Sequence, residues 1–267
     1  MGIVKYLASK AKYHLGKNLR KEKFVYNSEI QAIVMDIKKN GFSLIPNFFN
    51  EKECIVLKKE VDNVIALRKD KKCLWVDSYG SDERCFAAED DSELIAEIHG
   101  SQYFQDVADN VFQAKMACSN TLASRIEYKE GNLGSGQGWH RDGNHFQFKA
   151  IVFLTDVEIN DGPFSLLVGS HKPKSILNNI KINKYDGVKL RFENSEVDRL
   201  ISMGENIKKT FTAKAGSVVF FDASCVHAGS PLKDGGLRYA LTNYYYPSYE
   251  NIAARKAEFV NAYKKQR

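Results

Sequence analysis

The sequence contains no CxxC pair, no low-complexity linker and no hydrophobic run long enough to span a bilayer. Its apolar stretches stop well short of the roughly 18 to 20 residues that a membrane-crossing helix requires. Only five prolines and eighteen glycines occur in 267 residues, so no Pro/Gly-rich tract divides the chain. The five cysteines (Cys54, Cys73, Cys85, Cys118 and Cys225) are odd in number and scattered. That excludes a disulfide framework or zinc knuckle and predicts reduced thiols. The start lacks the apolar stretch of a secretory signal, and Tyr6 stands where a myristoylation motif wants Ser or Thr. A cytoplasmic location is expected. What is present, 43% hydrophobic and 27% charged residues, matches globular averages and is enough for a single domain with its own core.

Residues 1–23 hold Lys5, Lys10, Lys12, Lys17, Arg20, Lys21 and Lys23 against Glu22 alone, an excess that equals the formal +6 of the whole chain. The remainder is neutral, so no basic face is left to meet phosphate, and nucleic acid is not an expected partner. Ile3, Val4, Leu7, Ala11, Leu15 and Leu19 recur at helical spacing within this segment. It is expected to be a basic amphipathic extension, which either packs on the domain with its lysines in water or touches an acidic membrane surface or partner.

Residues 24–118 are mainly helical by pattern. Ser28, with Gln31, opens a periodic run through Ile30, Ile33, Val34 and Ile37 that Gly41 stops. A short strand covers residues 42–46, Asn50 caps a further helix, and another helix is expected over residues 102–114. From about residue 119 the pattern changes to short runs rich in Ile, Val, Phe and Tyr between Gly, Asp and Asn clusters, as antiparallel β structure requires. Six such runs without alternating helices predict a mainly β, α+β fold with a jelly-roll (double-stranded β-helix, cupin-like) core over residues 119–247. Residues 173–209 form an insertion or lid, and residues 248–267 a terminal helix.

Two histidine settings invite a metal. In Trp139-His140-Arg141-Asp142 an extended backbone turns His140 and Asp142 to one face. His227 ends the apolar run from Val218. Two imidazoles and a carboxylate make the facial triad of non-heme iron oxygenases, and zinc hydrolases use the same donor types. A non-catalytic jelly-roll module holding a structural or sugar-bridging ion is the reading from a different class. Arg238 favours an oxygenase. A hairpin closed by Pro231–Gly236 would set His227 opposite residue 240 and make Arg238 its diagonal neighbour, placed to fork onto a short dicarboxylic acid.

These residues resemble the phytanoyl-CoA dioxygenase family of Fe(II)- and 2-oxoglutarate-dependent oxygenases. The likeness spans residues 40–247. It rests on Gly41-Phe42-Ser43-Leu44-Ile45-Pro46-Asn47-Phe48, the Trp139-His140-Arg141-Asp142 motif, Asn160-Asp161-Gly162-Pro163-Phe164 before Gly169-Ser170-His171-Lys172, Ala215-Gly216-Ser217 before Phe221, His227 and Arg238. The resemblance implies iron on His140, Asp142 and His227, and the distal carboxylate of 2-oxoglutarate on Arg238. It also implies Lys129 near the cosubstrate, dioxygen as oxidant, and hydroxylation of a small molecule, lipid or sugar with release of succinate and CO2. Glu130 and Val168 stand where the family often has proline. Halogenating relatives replace the carboxylate ligand with a small residue, whereas Asp142 is retained here. His171 is expected to be a structural hydrogen-bonder, His145 to line the pocket or face water, and Trp139 to pack beside the metal strand. Asp156 and Asp222 are candidates to orient ligands, and Tyr244-Tyr245-Tyr246 reads as strand packing.

Overall fold

The computed structural model describes residues 27–143, 146–184 and 189–261, together with Val4, Leu7, Ala11 and Phe24. The basic extension over residues 1–23 therefore lies almost wholly outside the described residues, as do His145 and residues 262–267 of the expected terminal helix. Among the described residues no helix is long and apolar enough to cross a membrane.

Helix α1 (Ser28–Asn40) is capped by Asn27, one residue before the expected Ser28, because the Asn27 side chain is the group that accepts from the Ile30 amide. Gly41 ends it in a left-handed conformation, φ 96°. Strand β1 (Phe42–Ile45) leads to α2 (Glu51–Asp70), which opens on a reciprocal capping box between Asn50 and Glu53. The polar stretch after it forms two short strands, β2 (Trp75–Val76) and β3 (Asp82–Cys85). Two helices follow, α3 (Glu93–His99) and α4 (Gln102–Phe112). The first of these carried no periodic signal strong enough to predict.

The β region comprises β4 (Met116–Glu127), β5 (Phe148–Phe153), β6 (Phe164–Leu167), β7 (Lys208–Phe211), β8 (Val218–Asp222), β9 (His227–Gly229) and β10 (Leu237–Pro247). They form a seven-stranded antiparallel sheet, β1-β8-β5-β10-β4-β3-β2, facing a three-stranded sheet, β7-β6-β9. The two sheets make a jelly roll that is not closed into a barrel. The insertion contains two helices, α5 (Pro173–Ile182) and α6 (Asn194–Ser202), and α7 (Ile252–Val260) follows the last strand.

Period-two alternation explains why the central strands read as continuous apolar runs: both of their faces are buried. Val218 and Phe220 of β8 pack toward the helices with Ile37, Val61 and Phe104, whereas Val219 and Phe221 pack between the sheets with Phe153, Phe164 and Phe211. On β10, Tyr239, Leu241 and Tyr245 join the helical core. Arg238, Ala240, Thr242 and Tyr244 point the other way and line the space between the sheets.

The hairpin expected across residues 231–236 does not form. β9 pairs with β6, setting Leu166 opposite His227, while Ala240 of β10 lies opposite Phe153 of β5 and Ser124 of β4. The intervening segment crosses from one sheet to the other. Asn132 holds it in place, accepting from the Leu232 amide at 2.8 Å and donating to the Leu232 carbonyl at 2.9 Å.

Candidate metal centre and active-site cavity

His140 extends the small sheet past β9. Its amide donates to the His227 carbonyl, and the His227 amide donates back, both at 2.8 Å. The backbone therefore presents both imidazoles to one side, with ring centroids 4.3 Å apart. Asp142 follows two residues later, its amide bonded to the Ala223 carbonyl at 3.1 Å. The His140, Asp142 and His227 ligand atoms all lie within 4.8 Å of one another.

Each imidazole is already oriented. Nδ1 of His140 lies 2.9 Å from the Gly138 carbonyl, and Nδ1 of His227 lies 2.9 Å from the Cys225 carbonyl. A carbonyl can only accept, so each Nδ1 carries a proton and each Nε2 is the nitrogen turned toward the centre, the orientation a metal ligand requires. Gly136 makes room for this arrangement. It has φ +81°, and a Cβ there would stand 2.5 Å from Cε1 of His140.

The carboxylate complements the imidazoles. Asp142 Oδ2 is buried, and the Lys149 ammonium sits against it as an ion pair. Oδ1 lies 3.5 Å from Nε2 of His140. Burial pushes the Asp142 carboxyl upward, but the Lys149 ammonium beside it prevails and holds it well below the usual carboxylate range. Burial, reinforced by His140, drives His227 well below the ordinary imidazole value against the pull of Asp142. An ionised carboxylate and two imidazoles whose ligand atoms converge form a donor set that fits a divalent ion.

Beside these residues an inner cavity of about 90 Å³ opens between the sheets. Ile151, Phe153, Phe164 and Phe221 give it an apolar lining, and Arg238 projects into it from β10. Arg238 is buried, and the one hydrogen-bond partner seen for its side chain among the described residues is the Gly162 carbonyl. Burial lowers its pKa to about 10 despite the pull of Asp82. A guanidinium buried with most of its donors facing a cavity is arranged to take a carboxylate. Arg238 and His227 thus share a cavity as the sequence indicated, but they reach it from facing sheets rather than from one hairpin.

An outer cleft of about 720 Å³ continues from the metal residues toward the surface between β10 and α7, with Trp75, Phe146, Tyr246 and Phe259 among its walls.

Not every singled-out residue reaches this centre. Lys129 is exposed and does not line either space. The lysine at the centre is Lys149, a single charge in the apolar run of β5 whose alternation with Ile151 and Phe153 could have revealed it. His171 lies 3.5 Å from Cys225 Sγ and 3.3 Å from the Lys38 carbonyl, a structural position outside the triad. Asp222 accepts from the Ser224 amide and hydroxyl at 2.9 and 2.6 Å, shaping the turn that delivers His227. Asp156 pairs with Lys214 on the surface. Trp139 packs against the Leu167–Phe192 cluster, outside the cavity. Tyr244 and Tyr246 contribute cavity and cleft walls as well as strand packing.

Comparison with known proteins places this geometry. The sequence pattern of the phytanoyl-CoA dioxygenase (PhyH) family matches residues 37–240. The chain is similar to ectoine dioxygenase of Stutzerimonas stutzeri (strain A1501), 24% identical over 234 residues that cover 79% of this chain and 76% of the relative. Ectoine dioxygenase of Bordetella parapertussis is 23% identical over 216 residues, covering 74% of this chain and 68% of the relative. Among solved structures, EctD from S. alaskensis with 2-oxoglutarate and 5-hydroxyectoine superposes with a TM-score of 0.64 at 16% identity, covering 85% of this chain and 78% of that one. The epimerase SnoN in complex with Fe3+, alpha ketoglutarate and nogalamycin RO gives 0.64 at 16% identity, covering 83% and 84%.

Proposed function

The chain belongs to the phytanoyl-CoA dioxygenase family, and from that premise we propose that it is an Fe(II)- and 2-oxoglutarate-dependent dioxygenase that hydroxylates a C–H bond of a small molecule. The observation that carries this reading is the inner cavity, which has His140 and His227 of the converging His140–Asp142–His227 set in one part of its wall and the buried Arg238 guanidinium in another.

His140 Nε2, His227 Nε2 and an Asp142 oxygen would hold the iron. The centre, when loaded, supplies coupled oxidation by dioxygen of the oxoacid, to succinate and CO2, and of the substrate. The protein's own residues do the rest. The Gly138 and Cys225 carbonyls orient the imidazoles, and Lys149 steadies the Asp142 carboxylate. Arg238 would receive the distal carboxylate of the oxoacid, and Ile151, Phe153 and Phe221 supply the apolar wall beside it. These apolar residues also keep water from the reacting atoms. The outer cleft receives the substrate.

The direct test is anaerobic addition of Fe(II) and then 2-oxoglutarate to the full chain. A visible charge-transfer band that requires both components supports the assignment, and its absence refutes it.

A further inference from the structure

Arg84, Gly136, His140, Lys149 and Tyr244 border both the inner cavity and the outer cleft, forming the neck between them. Four cations face the cleft: Arg84, Lys149, Arg191 and Arg255. Two are neutralised locally. Arg84 is bonded to both carboxylate oxygens of Asp82, and Arg255 pairs with Glu250 and Glu258 at 2.8 and 3.2 Å. Arg191 donates to the backbone carbonyls of Gly136 and Gln137, and no carboxylate pairs with it among the described residues.

Lys149 is the informative case. It is buried, its ammonium lies 4.5 Å from the Tyr244 ring centroid and 5.9 Å from that of Phe221, and its carboxylate partner is Asp142. Asp142 is the group that a divalent ion takes up. With iron, the dianionic oxoacid, Asp142 and Arg238 together, the formal charges cancel, and the Lys149 ammonium is left in excess at the neck. A buried ammonium lacking a full anion is costly, and ring faces compensate it only in part.

We propose that Lys149 anchors the substrate, and that the substrate is a small carboxylic acid with a ring-shaped apolar body. The carboxylate occupies the neck on Lys149, and the body lies among Trp75, Phe146, Tyr246 and Phe259. Arg191 at the rim attracts the anion on approach. Because Lys149 touches Asp142, an acid held there presents the carbons next to its carboxylate to the metal centre. This inference rests on the iron and 2-oxoglutarate reading above.

The test uses the full chain saturated with Fe(II) and 2-oxoglutarate under argon, with 2-naphthoate, its neutral isostere 2-naphthamide and 2-naphthylmethylammonium as probes. Binding is followed by calorimetry and by the visible band of the iron–oxoacid chelate. The acid should bind at least about tenfold tighter than the amide, as close charge pairing implies, and should perturb the band without abolishing it. The ammonium probe should not bind. Lys149→Gln should bring the acid down to the affinity of the amide, Lys149→Arg should retain most of the preference, and Arg191→Gln should mainly slow association.

Equal affinity for acid and amide, no binding of the acid, or a preference that survives in Lys149→Gln overturns the inference. Bleaching of the band by naphthoate also overturns it, since that reports displacement of the oxoacid. If Lys149→Gln cannot form the chelate, the wild-type acid-to-amide ratio and Lys149→Arg decide. A wild-type protein with no band fails the underlying reading, whereas a band without acid preference fails this inference alone.

Discussion

His140 and His227 are antiparallel bridge partners, each amide bonded to the other's carbonyl at 2.8 Å. Two residues remote in sequence are thereby locked side by side by backbone hydrogen bonds, before any metal contributes. The pairing preorganises the centre, so ion binding does not have to pay for assembling it.

His227→Ala should fold and lose the centre. Succinate formation is expected to fall on the order of 100-fold or more, since even groups that merely support a metal ligand cost about 10–100-fold. The visible iron–oxoacid band should vanish with near-native circular dichroism. Undiminished turnover would disprove the ligand assignment.

Arg238→Met should separate cosubstrate from metal. Fe(II) affinity is expected to stay within a few-fold of wild type, whereas half-saturation by 2-oxoglutarate should rise by about 10-fold or more, as expected from losing a charge-assisted fork. Arg238→Lys should rescue little, because a point charge does not reproduce the fork. Titration of the band with oxoacid measures the half-saturation, and titration with Fe(II) at saturating oxoacid measures the metal affinity.

Gly136→Ala should weaken the metal site from a distance. The added Cβ meets the His140 ring at 2.5 Å and forces an alanine to φ +81°. Strain of this kind costs about 1–3 kcal/mol. Calorimetric Co(II) affinity should drop on the order of tenfold, following displacement of one ligand, with a lower melting temperature.

The metal-free protein should lose stability as pH falls below about 6.5. His227 is held well below its ordinary value of 6.5, so the unfolded chain takes up this proton first. Its contribution is present above that pH and is lost on descending toward the folded pKa. Asp142, held below 3.8, adds a second loss only below about pH 4. Thermal melts of the apo protein between pH 8 and 5 should show a decline that His227→Gln flattens.

Asn50→Ala serves as a control on the fold. Loss of the capping box of α2 should cost about 1 kcal/mol, lowering the melting temperature by about 2–4 °C in a chain of this size. The iron–oxoacid band should be unchanged.

The sequence by itself determined the helix-then-strand order, the Asn50 cap, the Gly41 stop and the choice of His140, Asp142 and His227 as candidate ligands. Each of these is a local signal: a cap, a breaker, or an extended spacing that turns His140 and Asp142 to one face. Only the tertiary structure decided that His227 and Arg238 reach their cavity from opposing sheets, because strand pairing is a long-range choice that turn residues at 231–236 do not encode. Helix α3 and strands β2 and β3 were equally illegible, being short segments held by packing rather than by periodicity. Lys149 belongs to both categories. Its alternation with Ile151 and Phe153 was written in the chain, yet its role follows from Asp142, which loops back to meet it only in the folded molecule.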